Sequence, residues 1–168
     1  MTPMERRQHR RSASDLPGLD IAEQKSWQNY LDATLRSRAA VNRQLTDEHQ
    51  LRVVDLRVLD ILAKATDGSV RMGDLAEAVE SLPGRLTKRV RRLEERGLMR
   101  RETCADDRRG VLAIITDDGL ALVAKATATY GRSVRTDLLG GLSRPQIAAI
   151  EENSRRINTA LKPYRPTA

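Results

Sequence analysis

Residues 81–97 read SLPGRLTKRVRRLEERG, and the spacing within them decides the fold. Leu82, Leu86, Val90 and Leu93 recur at intervals of four, four and three, the period of one helical face. Ser81 stands as N-cap and Pro83 falls in the first turn, where a missing amide costs little. Gly97 closes the helix. Gly84, Lys88, Arg91 and Glu95 point the other way, with Arg85, Thr87 and Arg92 on the flanks. Five of the eight residues at 85–92 are basic, and acids enter only at the far end, at Glu94 and Glu95. Such a helix suits the major groove of duplex DNA, where Arg reads guanine and Thr meets a thymine methyl. The competing description is an ordinary solvated basic face. Arg89 lies beside the apolar stripe and reads as a scaffold residue whose stem runs along the core.

The elements around this helix complete a pattern. Residues 20–45 read as one long uninterrupted helix with Trp27, Leu31, Leu35, Val41 and Leu45 on a stripe. It is longer than a compact small domain can cover, which points to packing against a second subunit. A second helix at 53–65 turns Leu56, Leu59, Leu62 and Ala63 inward, and Asp67-Gly68 ends it. Val70-Arg71 is a short extended piece, and a short helix at 73–79 follows with Leu75, Ala76 and Val79 inward. Beyond Gly97 the period changes: residues 98–102 and 111–115 read as strands joined by a polar turn. Thr116 caps a long helix to about residue 139, broken by Gly140-Gly141. Ser143 with Gln146 forms a capping box for a last helix ending near residue 161, with Ile147, Ile150, Ile157 and Leu161 as its buried stripe.

The fold class that follows is mainly α with a small β-hairpin wing. A winged helix-turn-helix lobe at 52–116 is flanked by dimerisation helices at 19–46 and 117–162. Residues 1–18 form a basic arm expected to be disordered, in which Arg6, Arg7, Arg10 and Arg11 could add phosphate contacts. Residues 19–168 are expected to form a single unit.

Charged residues make up 32% of the 168, and the net charge of +7 favours a polyanionic partner, which on composition alone is nucleic acid or an anionic membrane surface. Arg outnumbers Lys, as planar bidentate recognition of guanine or phosphate would require. With no Phe, one Trp and three Tyr, the chain lacks the stacking platforms of single-strand binders, so double-stranded DNA fits better. The single cysteine, Cys104, excludes an intramolecular disulfide and a Cys-rich zinc site. No apolar run approaches the roughly 20 residues of a membrane span, and the basic N-terminus lacks a signal-peptide core; no membrane partner and a cytoplasmic location are expected. His9 lies in the arm and His49 in a connecting segment, so no His pair stands at metal or triad spacing. No phosphate-binding Gly loop is present either. Neither catalysis, a metal nor a cofactor is expected.

The turn at 106–110, DDRRG, is the second candidate site. An Arg at a hairpin tip can enter a narrow minor groove, and an aspartate two residues before it can brace the guanidinium. DDRRG is also simply a soluble turn.

Three segments resemble the MarR (multiple-antibiotic-resistance regulator) family of bacterial repressors: RMGDLAEAVE at 71–80, RLTKRVRRLEERGLMRR at 85–101 and DDRRGVLAIITDDG at 106–119. The last fits the family's D-x-R wing followed by a strand and an L/I-T-x-x-G helix start. The resemblance covers residues 27–161 and includes the W-x-x-Y-L start at Trp27. It implies a homodimer with intertwined terminal helices and one recognition helix per half-site of a pseudo-palindromic operator. It also implies that Arg109 enters the minor groove with Asp107 supporting it and Arg108 beside it. Arg85, Thr87, Lys88 and Arg92 correspond to positions facing the major groove or its phosphates. Two departures stand out: Arg91 replaces a common Asp, which raises non-specific affinity, and Pro83-Gly84 replaces a Ser-rich opening. The resemblance further implies a small aromatic or anionic effector, in a pocket lined here by Trp27, Tyr30, Leu31, Leu59 and Leu62. The same five residues fit a plain packed core equally well. Cys104 lies among Arg100, Arg101, Arg108 and Arg109, the setting of a reactive thiol. The family's one-cysteine sensors carry theirs on the first helix, so Cys104 is expected not to sense oxidants. The rival functions are a non-specific architectural DNA-binding protein and a winged-helix protein–protein interaction module.

Overall fold

The computed structural model describes residues 16–104 and 110–161. Most of the basic arm, the turn residues Asp107, Arg108 and Arg109, and the chain beyond Leu161 lie outside the described residues. The chain divides into a first unit ending at Arg38 and a second beginning at Ala39. The elements run α1 (Ile21–His49), α2 (Val53–Lys64), β1 (Ser69–Arg71), α3 (Met72–Ala78), α4 (Pro83–Glu95), β2 (Met99–Thr103), β3 (Val111–Ile115), α5 (Asp117–Ser133) and α6 (Arg144–Ala160). A wide π-type stretch, Val134–Leu139, continues α5. The short α3, the turn and the basic α4, followed by a β-hairpin, make a winged helix-turn-helix.

The short extended piece at Val70-Arg71 is a strand that joins the hairpin as a third member of its sheet. β3 pairs antiparallel with β2 from Met99↔Ile115 to Thr103↔Val111, and on its other edge with β1 from Ser69↔Ile114 to Arg71↔Leu112. β1 therefore ties the segment before α3 to the base of the wing.

The second unit's core takes Leu45 from α1, Val58, Leu59 and Leu62 from α2, and Leu75 from α3. Leu86, Val90 and Leu93 of α4, Met99 and Ala113 of the sheet, and Val123 and Ala126 of α5 complete it. Each fully buried leucine contributes about 1.5–3 kcal/mol, so the core rather than helix propensity holds α3 and α4 in place.

Two local devices set where α4 stops and α5 starts. The amide of Leu98 reaches the Leu93 carbonyl at 3.0 Å and that of Gly97 reaches Glu94 at 2.8 Å. Gly97 sits at φ +71°, in the left-handed region this cap demands. The Thr116 hydroxyl then donates to the Gly97 carbonyl at 2.7 Å and accepts the Gly119 amide at 3.1 Å. A Cβ on Gly119 would lie 2.1 Å from the Leu98 carbonyl oxygen, so the T-x-x-G spacing marks a close helix-to-strand approach. Thr116 and the Ser143/Gln146 box both cap as their sequence positions predict.

Several expectations need correction. Ser81 is not the N-cap of α4: the helix opens at Pro83 with Leu82 in the cap position and no side-chain cap bond. Leu82 is exposed, because it precedes the first turn rather than lying on the core stripe. α1 runs on to His49, past the last apolar residue of its stripe, and ends where Gln50 turns left-handed at φ +54°. The stripe of α6 is not buried within one chain: Ile150, Ile157 and Leu161 are 49%, 42% and 64% exposed. Trp27, Leu31 and Leu35 of α1 are exposed as well. Among the described residues, no helix is long and apolar enough to cross a membrane.

Candidate nucleic-acid interface

α4 is fixed on one side and open on the other. Leu86, Val90 and Leu93 are buried beneath it. Around that stripe, polar anchors hold the helix at three points. Arg89 and Arg92 converge on Asp55 of α2, at 2.5 Å and 2.6 Å. Glu94 takes the Arg101 side chain of β2 on Oε2 at 2.9 Å and 2.7 Å, and the Arg101 amide on Oε1 at 3.0 Å. Arg96 donates to the Gln50 and His49 carbonyls at 2.8 Å and 3.0 Å, closing the end of α1.

What remains outward is the predicted reading face. Arg85, Thr87, Lys88, Arg91 and Arg92 are all exposed. Arg85 and Lys88 make no ion pair among the described residues. Arg91 is paired with Glu95 at 2.9 Å, and that hydrogen bond raises its already high pKa further. The Thr87 hydroxyl donates to the Pro83 carbonyl at 2.9 Å, which uses its proton locally and leaves the methyl and a lone pair for another partner. No acid stands in the first turn of α4, so the positive end of the helix is not neutralised there.

Arg89 was expected to lie along the core stem-first, and it does lie beside the stripe. Its partner was not expected: Asp55 is wholly buried and was missing from the inward set of α2. A signal existed. Leu51, Asp55, Leu59 and Leu62 are spaced four, four and three, placing an acid on an apolar stripe. A buried carboxylate must be paired, and the basic helix is the obvious source of cations.

At the wing, the Cys104 amide reaches the Gly110 carbonyl at 2.9 Å and closes the described base of the hairpin. Cys104 is buried there. Asp107, Arg108 and Arg109 lie outside the described residues.

The five residues suggested for an effector pocket separate into two sets. Leu59 and Leu62 are fully buried in the core of the second unit and offer no surface to a small molecule, because the inner face of α2 is wholly used for packing. Trp27, Tyr30 and Leu31 are exposed on the first unit's part of α1, with the Trp27 and Tyr30 rings 6.0 Å apart. Within the second unit an open cleft runs between α2 and α5, lined by Val53, Leu56, Arg57, Asp60, Lys64, Thr127 and Tyr130. His49 takes a structural place: its Nε2 lies 2.9 Å from the Thr129 hydroxyl, which donates to Glu48 at 2.8 Å. That bond from Thr129, with Arg132 beside it, holds the Glu48 carboxyl below its ordinary pKa.

A basic helix anchored by its apolar stripe and followed by a β-hairpin defines a winged helix-turn-helix protein. Residues 52–111 match the model of the MarR family. The chain is similar to Sco3205 of Streptomyces coelicolor, a MarR family transcriptional regulator solved in complex with DNA, at 30% identity and a TM-score of 0.81. That match covers 89% of this chain and 93% of Sco3205. It is also similar to AbsC, a MarR family transcriptional regulator of the same organism, at 27% identity and a TM-score of 0.78, covering 86% of this chain and 97% of AbsC. The MepR–DNA complex of S. aureus shares the fold at 18% identity, with a TM-score of 0.71 over 80% of this chain and 97% of that one. The chain belongs to the MarR family.

Proposed function

We propose that this chain is a cytoplasmic, DNA-binding transcriptional regulator of the repressor type. As a homodimer it binds a pseudo-palindromic operator, and a small aromatic or anionic effector modulates its affinity. The observation that carries this is the outward face of α4, where Arg85 and Lys88 stand exposed and unpaired among the described residues while the opposite face is locked into the core. Arg85 and Lys88 can meet DNA with every donor free of protein acids among the described residues. The DNA bound by Sco3205 supports the same assignment by similarity.

In the dimer the two copies of α4 lie about 34 Å apart and meet successive major grooves. Arg85, Thr87, Lys88, Arg91 and Arg92 contact the major groove and its phosphates. Arg109, with Asp107 and Arg108, serves the minor groove. Effector binding falls to the open cleft beside Tyr130, or to the exposed Trp27, Tyr30 and Leu31, rather than to Leu59 and Leu62.

The test is selection of duplexes from a random pool by the purified protein, followed by binding of the recovered duplex to Arg85→Ala, Lys88→Ala and Arg109→Ala variants. The first two should change both affinity and base preference, and the third should weaken binding with modest loss of preference. A pool that never converges would make the protein an architectural DNA coat. Failure to shift any duplex at low salt would make it a protein-binding module.

A further inference from the structure

The ion cluster beneath α4 does more than pin the helix. Asp55 is fully buried, yet its carboxylate takes three donors: Arg89 Nη1 at 2.5 Å on Oδ1, and Arg92 Nη2 at 2.6 Å and the Arg52 amide at 2.8 Å on Oδ2. The two guanidiniums are not equivalent. Arg89 is 24% exposed and belongs to the interior, whereas Arg92 is 51% exposed and lies at the edge of the outward basic face. One anion between two cations leaves a net positive charge, and the exposed member is where that charge can act.

We propose that Asp55 is a positioning residue for DNA recognition: it holds one corner of the Arg92 guanidinium from below and presents the rest of the fork to the groove. This rests on the assignment of α4 as the DNA-contacting helix. A guanidinium offers five N–H donors in one rigid plane, so fixing Nη2 orients the others. An untethered surface arginine must give up rotamer freedom when it binds; Arg92 has given up most of it beforehand. The tether also limits reach. With its end fixed to a buried carboxylate, Arg92 addresses what lies directly against α4 and cannot swing freely to any nearby phosphate. Asp55 thereby trades indiscriminate phosphate contact for one directed contact, although it never touches DNA itself.

The experiment compares wild type, Asp55→Asn and Arg92→Gln on two probes: a duplex recovered by selection with the wild-type protein, and a scrambled duplex of equal composition. Binding is titrated across a salt series at a temperature where circular dichroism shows each variant folded. Asp55→Asn should lose about tenfold in preference between the two duplexes while binding the scrambled one more tightly at low salt. Its slope of log K against log salt should steepen by about 0.9 for each Arg92 released to a phosphate. A variant with unchanged preference and slope and only a lower melting temperature would overturn the proposal and leave the cluster purely structural. Should Asp55→Asn not fold, Arg92→Gln decides, since it keeps the interior Arg89–Asp55 pair. It should lose preference with a shallower salt slope, and binding of both duplexes as in wild type would overturn the proposal. Arg85→Ala and Lys88→Ala are run alongside. If both leave binding of the selected duplex intact, the assignment of α4 falls and takes the Asp55 role with it, a result distinct from failure of Asp55→Asn alone.

Discussion

Glu94 and Arg101 form a two-pronged pair that joins α4 to the first strand of the wing. Arg101 places Nε and Nη2 on one carboxylate oxygen at 2.9 Å and 2.7 Å, while its own amide meets the other oxygen at 3.0 Å. The side-chain bond from Arg101 is the main reason the Glu94 carboxyl sits below its ordinary pKa. A carboxyl whose folded pKa is depressed stabilises the fold above its unfolded pKa, and that contribution disappears as pH falls through the folded value. Glu94→Gln should therefore cost about 1 kcal/mol near neutral pH, discounted because the pair is partly solvated. Urea melts of both proteins should show this gap narrowing as the pH drops below the carboxylate range. A gap that stays constant into acid would mean the charge of Glu94 contributes nothing.

Gly119 carries the most severe steric prediction. A methyl group there would meet the Leu98 carbonyl oxygen at 2.1 Å and Ile115 Cγ1 at 2.8 Å, and the first of these is backbone that cannot swing aside. Gly119→Ala should destabilise by about 2–3 kcal/mol or more, as overpacking of a close helix-to-strand contact does. Gly131, on the same helix with open space around its Cα, is the control. Gly131→Ala should leave stability equal or raise it by up to about 1 kcal/mol. Thermal melts that rank the two variants equal would refute the close-approach account of the T-x-x-G segment.

Glu95 restrains Arg91. Their pair at 2.9 Å is fully at the surface, so breaking it should hardly alter stability. Glu95→Gln releases Arg91 and removes an acid that repels phosphate. Duplex binding should tighten a few-fold at low salt, with the gain fading as salt screens it. Titrations at two salt concentrations check this, and weaker binding by the variant would place Glu95 itself in contact with DNA.

The parts of this fold legible in the sequence were those with a local cause. Thr116, Gly97 and the Ser143/Gln146 box act within one turn of chain, and each sits where its residue type predicts. The basic face of α4 follows from helical period alone, and Arg85, Lys88 and Arg91 are all outward. What was hidden depends on partners far along the chain. Val70-Arg71 reads as extended in the sequence, but its antiparallel pairing with the edge of β3 does not. Asp55 stands on an apolar stripe, but the two arginines that make its burial tolerable lie 34 and 37 residues away. Ser81 misled for the opposite reason: a strong local capping preference gave way to the Leu82-Pro83 entry, whose proline already fixes the first-turn geometry.

α6 raises the question of what covers it. Ile147, Ile150, Ile157 and Leu161 fall on one stripe, yet no residue of the helix is buried within its own chain. Glu152, with Arg155 and Arg156 paired to it at 2.7 Å and 2.5 Å, marks the face that solvent satisfies. Leaving several large aliphatic side chains in water forfeits about 25 cal/mol for each Å² of apolar surface. A second copy of the chain is the cover expected of a homodimer, and the stripe is then its interface. Ile150→Glu with Ile157→Glu should shift the protein from dimer to monomer in sedimentation equilibrium. Because each protomer supplies one α4, the monomer should also lose most of its affinity for a two-half-site duplex while binding a single half-site as weakly as before. Persistence of the dimer in the double variant would show that α6 is not part of the interface, and that the exposed Trp27, Leu31 and Leu35 of α1 must carry it instead.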